Sequence, residues 1–425
     1  MRTSAARGTG RMAAEPPARS WRGLVGVLSA QAVAWTGTRL SAIALPWFVL
    51  TTTGSAAQTG VVVFAELTPY VIAQVISGPL IDHVGPRRIS IVGDLVSMGA
   101  AAVIPLLYAA DAMSLGLLLP LVAVIGAFRG PADASKGVFI PAMTEAARVP
   151  LERGTGLSGT IERLASTVGP AVAGVVVAAV GGAYALAVTA SLFGLGAAII
   201  TATTPRREPS PGGEPTEGYL ARLRSGADFL RKERLLRSIA GMVAVTNLLD
   251  AAWGSILLPV WARESGQGPA TIGLVVGVMS GFSALSSLAA AAIAHRLPRR
   301  PIYLVGFFIG GAPRFVVLAL ETPTWVVIGV YAVSGLGTGF LNPIIGAIQF
   351  ERVPPEMYGR VRTMVVAVAW SGMPFGGVVG GGLIALAGLS PALLICGAVY
   401  LITTTLPGLQ KEWSEMDRKR RRVTR

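Results

Sequence analysis

The sequence predicts an all-α membrane protein: twelve transmembrane helices arranged as two pseudo-symmetric six-helix bundles. Three observations carry that expectation. Of 425 residues, 52% are hydrophobic and only 14% charged, against about 25% charged in an ordinary soluble domain, and the mean hydropathy is +0.62. Twelve apolar stretches, each long enough to cross hydrocarbon as a helix, begin near Trp21, Ala57, Arg88, Met113, Gly156, Ala183, Ser238, Pro269, Pro301, Thr324, Thr363 and Ser390. The halves also repeat. At an offset of 213, Pro46 matches Pro259, Gly60 matches Gly273 and Arg87 matches Arg300; at 204, Arg148 matches Arg352, Pro150 matches Pro354 and Pro170 matches Pro374. Parallel six-helix repeats follow.

In chain order the reading is a cytoplasmic tail over 1–20, a six-helix bundle over 21–203, a cytoplasmic linker over 204–236, a second bundle over 237–409 and a basic tail over 410–425. The apolar run after Ser20 is too long for a signal-peptide core, so the first helix is expected to stay in the mature protein. Lys and Arg number 36. With the N-terminus inside, only Arg263 falls in an outer loop and only Arg39 and Arg314 fall deep within spans. The connections near Thr51–Gln58, Ala109–Ala112, Val180–Gly182 and Gly388–Leu389 carry no base, which by the positive-inside rule puts both termini in the cytoplasm. The linker opens on a Pro/Gly/Glu-rich stretch, Thr204–Gly218. Beyond it Leu220, Leu223, Ala227 and Leu230 recur at helical spacing among Arg222, Arg224, Arg231 and Lys232, the pattern of an amphipathic helix on the inner membrane surface.

Several chemistries are excluded by what is missing. The formal charge of +14 is dispersed between apolar runs rather than gathered in a patch, so it reports topology and not nucleic acid. Cys396 stands alone in an apolar run, and His83 and His295 lie far apart in loops, leaving no disulfide framework and no metal site. There is no G-x-x-x-x-G-K-[ST] to bind ATP and no setting for a Ser-His-Asp triad. No cofactor is expected, and the chain does not read as an enzyme.

After the second span the sequence runs Gly78-Pro-Leu-Ile-Asp82-His83-Val-Gly85-Pro86-Arg87-Arg88. This resembles the loop between helices two and three of the major facilitator superfamily, G-x-x-x-D-R-x-G-R-R. The fold the resemblance implies is the major facilitator fold. His83 and Pro86 depart from the pattern where bases are preferred, and the corresponding loop of the second half, ending His295-Arg296-Leu-Pro-Arg299-Arg300, has lost the acid. Such a loop places an acid at one helix end and bases at the next helix start, able to latch one half against a helix end of the other. Asp94 and Arg129, near the inner ends of their helices, are expected to brace it, with Glu162 and Arg163 in reach of the same network.

The fifth span carries Gly169-Pro170-Ala-Val-Ala173-Gly174, which resembles the GPxxGG element of exporters in this superfamily; its counterpart is Met373-Pro374-Phe-Gly376-Gly377. Proline and small residues permit close packing and kinking in an element that rocks between two arrangements. The stretch Arg129-Gly-Pro131-Ala132, then Pro141-Ala-Met, Leu151-Glu152-Arg153 and Gly359-Arg360-Val361 look like the branch containing macrolide-efflux and enterobactin-export proteins. The resemblance spans roughly residues 21 to 409 and implies a drug or natural-product exporter driven by protons.

Polar stripes inside the spans are an independent signal. Gln31, Trp35, Thr38 and Arg39 share a face of the first helix, and Glu66, Tyr70, Gln74 and Ser77 a face of the second. In the second half the stripes are Asn247, Asp250 and Gly254, then Ser280, Ser283 and Ser287, then Tyr331, Ser334, Thr338 and Asn342. Glu66, Asp250 and Arg314 count to mid-membrane, where a charge costs about 2.5 to 3.5 kcal/mol even on the translocon scale. Glu66 and Asp250 are therefore the expected proton carriers. Gln31, Trp35, Arg39, Tyr70, Gln74, Asn247, Trp253, Arg314, Tyr331 and Asn342 are the expected cavity residues. The alternative for the charges is buried structural pairing, as of Glu66 with Arg39.

The function that follows is export of a small amphipathic molecule across a bacterial cytoplasmic membrane by alternating access, in exchange for protons. The rivals are a proton-coupled importer of a nutrient and a receptor that moves nothing. The partners expected are substrate, protons and lipid, and one chain supplies a complete pathway, so a monomer is the simplest state. Reporter fusions test the topology: fusions at Arg425 or within 209–218 should report the cytoplasm and fusions at Gly54 or Asp111 the exterior. A cytoplasmic signal from Asp111 would overturn the span assignment.

Overall fold

The computed structural model describes residues 20–205, 219–293, 297–354, 357–410, 413 and 416, and the regular elements among them are all helices. Eleven rods among the described residues are long and apolar enough to cross a membrane. The longest, Leu151–Thr203, turns at Gly181, whose φ of +82° and ψ of 161° break the helix, so the rods make twelve spans. The last two spans turn the same way at Gly388, φ +82° and ψ 174°. Both are single-residue corners in a region that a side chain disfavours, which is why glycine stands there.

The first four spans are Arg22–Thr53, Ala56–Val84, Pro86–Ala109 and Leu115–Ala146. Ser55 and Ser114 sit extended just ahead of the second and fourth and accept hydrogen bonds from the backbone N–H of Gln58 at 3.2 Å and of Leu117 at 3.4 Å, satisfying donors that the first turn leaves open. The seventh span, Arg234–Ala252, passes through a wide turn at Trp253–Leu257 into Leu258–Glu264. The eighth is Pro269–Ile293. The ninth, tenth and eleventh are each broken once, into Arg299–Gly310 with Ala312–Ala319, Thr324–Thr338 with Leu341–Arg352, and Tyr358–Trp370 with Met373–Ala387; the twelfth is Leu389–Leu409. Large apolar side chains such as Leu106, Val175, Leu288, Trp325 and Leu386 stand exposed on the bundle's outside, where lipid would cover them.

The linker helix Tyr219–Lys232 lies against the start of the eleventh span rather than on its own: a Cβ at Gly226 would meet the Arg360 carbonyl oxygen at 2.6 Å. Glu233 then pairs with Arg352 at 2.6 Å, fastening the linker to the second half. Leu220 and Leu223 have side chains outside the described residues. The tail expected to be simply basic begins with an anchor instead. Trp413 is fully buried against Tyr303, ring centroids 5.4 Å apart, and donates to Ser238 Oγ at 3.1 Å; Met416 is buried too.

The two halves meet at the end of the bundle opposite the linker, here called the far end. Two contacts related by the internal repeat close it. Gly60 of the second span lies on Gly377 of the eleventh, and Gly273 of the eighth lies on Gly174 of the fifth. A Cβ at Gly377 would stand 2.8 Å from the Gly60 carbonyl oxygen, and one at Gly273 would stand 3.0 Å from the Gly174 Cα. The eleventh span carries glycine on a second face as well, Gly372 and Gly376 against the backbone of the seventh span within its own half. Around these contacts Leu50, Val63, Ile256 and Val260 form an apolar cluster that crosses between halves, and the rings of Phe64 and Phe375 meet at 5.6 Å. Toward the linker the halves part on the side of the second and eleventh spans, where Met373–Ala387 packs along the second span and Tyr358–Trp370 barely meets it, while the fifth and eighth spans stay joined as far as Arg163, which donates to Ser287 Oγ at 3.2 Å.

Replacing Gly377 by Leu should therefore cost about 1 to 3 kcal/mol through overpacking against backbone, read as a lower unfolding temperature in detergent. Gly382→Leu, where an added Cβ meets nothing within 4 Å, should leave it near that of the parent.

Candidate functional site

Where the halves part, a cavity of about 360 Å³ opens between them. The fifth span contributes Arg163, Ser166 and Thr167 from the first half. Asp250, Trp253, Ser280, Ser283, Arg314 and Thr338 line it from the second, with Val276, Met279 and Ala284 as its apolar wall. A few polar groups on an otherwise apolar surface is the composition of a small-molecule site.

Asp250 and Arg314 form an ion pair through Oδ1 and Nη2. They do not share the cavity equally: the Asp250 side chain is 39% exposed and that of Arg314 only 3%. The guanidinium is held back by rings, its carbon 5.0 Å from the Trp253 ring centroid, 5.1 Å from Phe315 and 5.2 Å from Tyr400. A cation over aromatic faces gains most when desolvated, which is how an arginine is tolerated at this depth. Tyr331, expected in the cavity, is fully buried behind it. Its hydroxyl accepts from Trp253 Nε1 at 2.7 Å and donates to the Arg314 carbonyl at 3.1 Å, so it positions the two residues that do face the site. The wide turn begins three residues after Asp250, at Trp253 of the cavity wall, and single wide turns of this kind collect at functional sites.

On the first half, Arg39 donates to Ser166 Oγ at 2.9 Å, reaching the cavity wall through that serine. It forms no ion pair with Glu66, the pairing weighed from sequence; Glu66 has no hydrogen-bond or ion partner among the described residues. Glu66, Tyr70 and Gln74 lie where the second and fourth spans touch through backbone. A Cβ at Gly130 would stand 2.8 Å from the Tyr70 carbonyl oxygen, and the Gln74 Oε1 atom is buried without a partner. Tyr70 and Gln74 thus stand apart from the cavity lining, and so do Gln31, Asn247 and Asn342. Gln31 is buried between spans and bonds Ser158 Oγ at 3.0 Å; Asn247 donates to the Ala369 carbonyl at 2.8 Å, tying the seventh span to the eleventh; Asn342 is exposed and outside the cavity lining. Trp35 is half-buried and also outside that lining.

The expected latch loop is attached to its own half. Gly85 turns with a φ of +93°, Gly78 faces open space, Arg88 is exposed, and Arg87 donates to the carbonyls of Thr201 at 3.0 Å and Thr204 at 3.3 Å at the end of the sixth span. A base at a helix C-terminus is favourably placed. The Asp82 side chain lies outside the described residues. Asp94 and Arg129 do not brace this loop. They sit inside the first half, Arg129 Nη1 on Asp94 Oδ1 at 2.7 Å, joined by two groups the sequence reading passed over: Lys136 Nζ on the same oxygen at 2.9 Å, and Asp133 on Arg129 Nη2. The Arg129 guanidinium also lies 4.2 Å from the Phe193 ring. Asp133 and Lys136 fall one and two turns after Arg129 on the fourth span, a spacing of four and seven that could have flagged them. The exporter-like element is at the interface: Gly174 and the Pro170 carbonyl meet Gly273, and Gly169 lies against the Arg39 stem.

A profile described as transmembrane secretion effector matches residues 25–422. The chain belongs to that family of the major facilitator superfamily. The chain is also similar to the multidrug efflux pump Tap of Mycobacterium tuberculosis, 31% identical over 396 residues that cover 91% of this chain and 93% of that one. Tap of Mycolicibacterium fortuitum is 27% identical, covering 92% and 96%. Among solved structures, the nucleoside transporter NupG superposes with a TM-score of 0.74 at 12% identity, covering 91% of this chain and 98% of that one. A POT family transporter in complex with 5-aminolevulinic acid superposes at 0.69, also at 12% identity, covering 91% and 95%. At such identity the likeness is one of fold, and it is the superfamily fold expected from the sequence.

The buried charge cluster of this secretion-effector chain makes a stability prediction. Asp94→Ala leaves Arg129 and Lys136 facing each other without the carboxylate between them, and breaking a buried network of this kind costs about 3 to 5 kcal/mol. Thermal unfolding should show a large loss, and Lys136→Met added to Asp94→Ala should restore part of it in a double-mutant cycle.

Proposed function

We propose that the protein exports a small amphipathic drug or natural product by alternating access, in exchange for protons, as a transporter and not an enzyme. The observation that carries this reading is the cavity between two repeat-related halves that are sealed at the far end and parted toward the linker. With the termini and linker cytoplasmic, as the distribution of Lys and Arg indicates, the site faces the cytoplasm and is poised to take cargo from inside. The relatives described as multidrug efflux pumps support the direction and the class of cargo. An apolar wall beside serine and threonine hydroxyls, the Trp253 indole and the Asp250 carboxylate suits a molecule with both characters.

Glu66 and Asp250 remain the proton-carrying groups of this proposal, and the geometry favours Glu66. Asp250 is committed to Arg314, whereas Glu66 has no counter-charge to hold its proton off. A proton on Glu66 removes a mid-membrane charge that is costly to keep. Its release when the second span moves against the eleventh span of the other half would couple protonation to the rocking of the halves.

Transport in inside-out vesicles tests the reading. An imposed proton gradient should drive accumulation of an exported antibiotic by the parent protein. Glu66→Gln should lower gradient-driven accumulation at least about tenfold, the scale of one 1.4 kcal/mol coupling step, while leaving exchange of labelled for unlabelled substrate intact. Gradient-driven accumulation that survives in the Glu66→Gln, Asp250→Asn double variant would remove both acids from the mechanism.

A further inference from the structure

Arg263 is the one base that the sequence places among the far-end loops, and nothing in the transport cycle described above uses it. It occupies the last turn of Leu258–Glu264, and its Nη1 atom crosses to the other half to donate to the Leu50 carbonyl at 3.1 Å. That carbonyl already accepts the N–H of Gly54 at 3.0 Å, and the guanidinium lies over Gly54, within 3.9 Å of where a Cβ would be. Leu50 and Arg263 are 213 residues apart, the same offset that relates Pro46 to Pro259 and Gly60 to Gly273. The donor therefore reaches the residue equivalent to itself in the other half.

The repeat imposes a problem that this bond answers. The first and seventh spans end side by side at the far end, so two helix C-termini, each carrying about half a negative charge, approach one another. The first span has no basic residue in its last turn. Arg263 supplies one cation to both ends. It does so beside a cleft of about 560 Å³ that is lined by Leu50, Gly54 and Ala56 from one half and by Val260, Arg263 and Ile384 from the other.

We infer that Arg263 is a positioning residue for transport, a charge-assisted tie that holds the far end shut while the site loads from the linker side. Opening the far end pulls the seventh span from the first and strips the Leu50 carbonyl of this donor, whereas in the closed arrangement the Arg263 cation offsets the repulsion between the two helix ends held side by side. A hydrogen bond from a charged donor is worth enough to change the open-to-closed ratio about tenfold or more. The assignment rests on alternating access, but its measurement needs no substrate, so failure of the export reading and failure of the tie are separable.

Spin labels at Gln58 and Ala387, both exposed and in opposite halves, report far-end opening by pulsed distance measurement in nanodiscs; Cys396 is buried and stays in place. Arg263→Met, which keeps the stem and removes charge and donors, should raise the long-distance population about tenfold. Arg263→Lys should give a smaller rise, and Glu264→Gln, a neutralisation in the same cleft, should give none. Should Arg263→Met fail to fold, Arg263→Lys carries the test, and a distribution identical to the parent overturns the assignment. It is equally overturned if Arg263→Met matches the parent, or if Glu264→Gln opens the far end as much, since the effect would then belong to surface charge in general.

Discussion

Everything in this molecule depends on backbone meeting backbone across the far end. Gly60 on Gly377 and Gly273 on Gly174 bring four helices together with no side chain between them. In lipid there is no gain from burying one apolar surface against another, so helix association relies on close van der Waals contact, and small residues are what permit it. The consequence is geometric. Two bundles joined tightly at one end and diverging at the other must enclose a wedge of space, and that wedge is the cavity. Because the two contacts are related by the repeat, each half contributes one glycine-bearing span to either side of the join.

The halves differ in how they keep charge away from lipid. The first buries Asp94, Arg129, Asp133 and Lys136 together, two acids with two bases, on spans three and four against the sixth. The second buries one pair, and backs its base with Trp253, Phe315 and Tyr400. The first arrangement is self-contained and holds its half rigid. The second leaves its carboxylate partly open, so whatever enters the cavity meets Asp250 before it meets Arg314. Rigidity on one side and an accessible charge on the other divide structural and chemical duties between two copies of one ancestral unit.

How much of this was legible from residues alone follows from what each signal depends on. The spans and the repeat rest on hydropathy and length, which are local, and the tight connections at 180–182 and 388–389 were readable as outer loops, though not the single-residue corners at Gly181 and Gly388 that make them. The cavity was readable in part: Asp250, Trp253 and Arg314 line it, because a charge or indole at mid-membrane needs a polar or aromatic setting. Gln31, Asn247 and Tyr331 were misplaced because a helical stripe fixes a face without saying what that face meets. Each faces inward, but onto a neighbouring helix, where it binds a hydroxyl or a carbonyl. Asp133 and Lys136 were passed over because they fall near the inner end of a helix, where charges usually reach water; only the third and sixth spans around them make the position a buried one. Trp413 was hidden in a short charged stretch ahead of the basic run that begins at Arg418, and its ring is held by residues more than a hundred positions earlier.

The wide turn at Trp253–Leu257 has a consequence beyond placing Asp250. Such a turn accommodates one more residue than a regular turn of helix, so every side chain after it is rotated by about 100° relative to an uninterrupted rod. The equivalent first span, Arg22–Thr53, runs through without such a turn. The two copies are thus out of phase by one residue's rotation over their final turns, though they remain in register along the sequence. Phase, independent of composition, decides which side chains of an ageing duplicate look toward its twin and which look toward oil. A single-residue slip inside one helix is a way for a duplicated protein to lose its symmetry without changing its length.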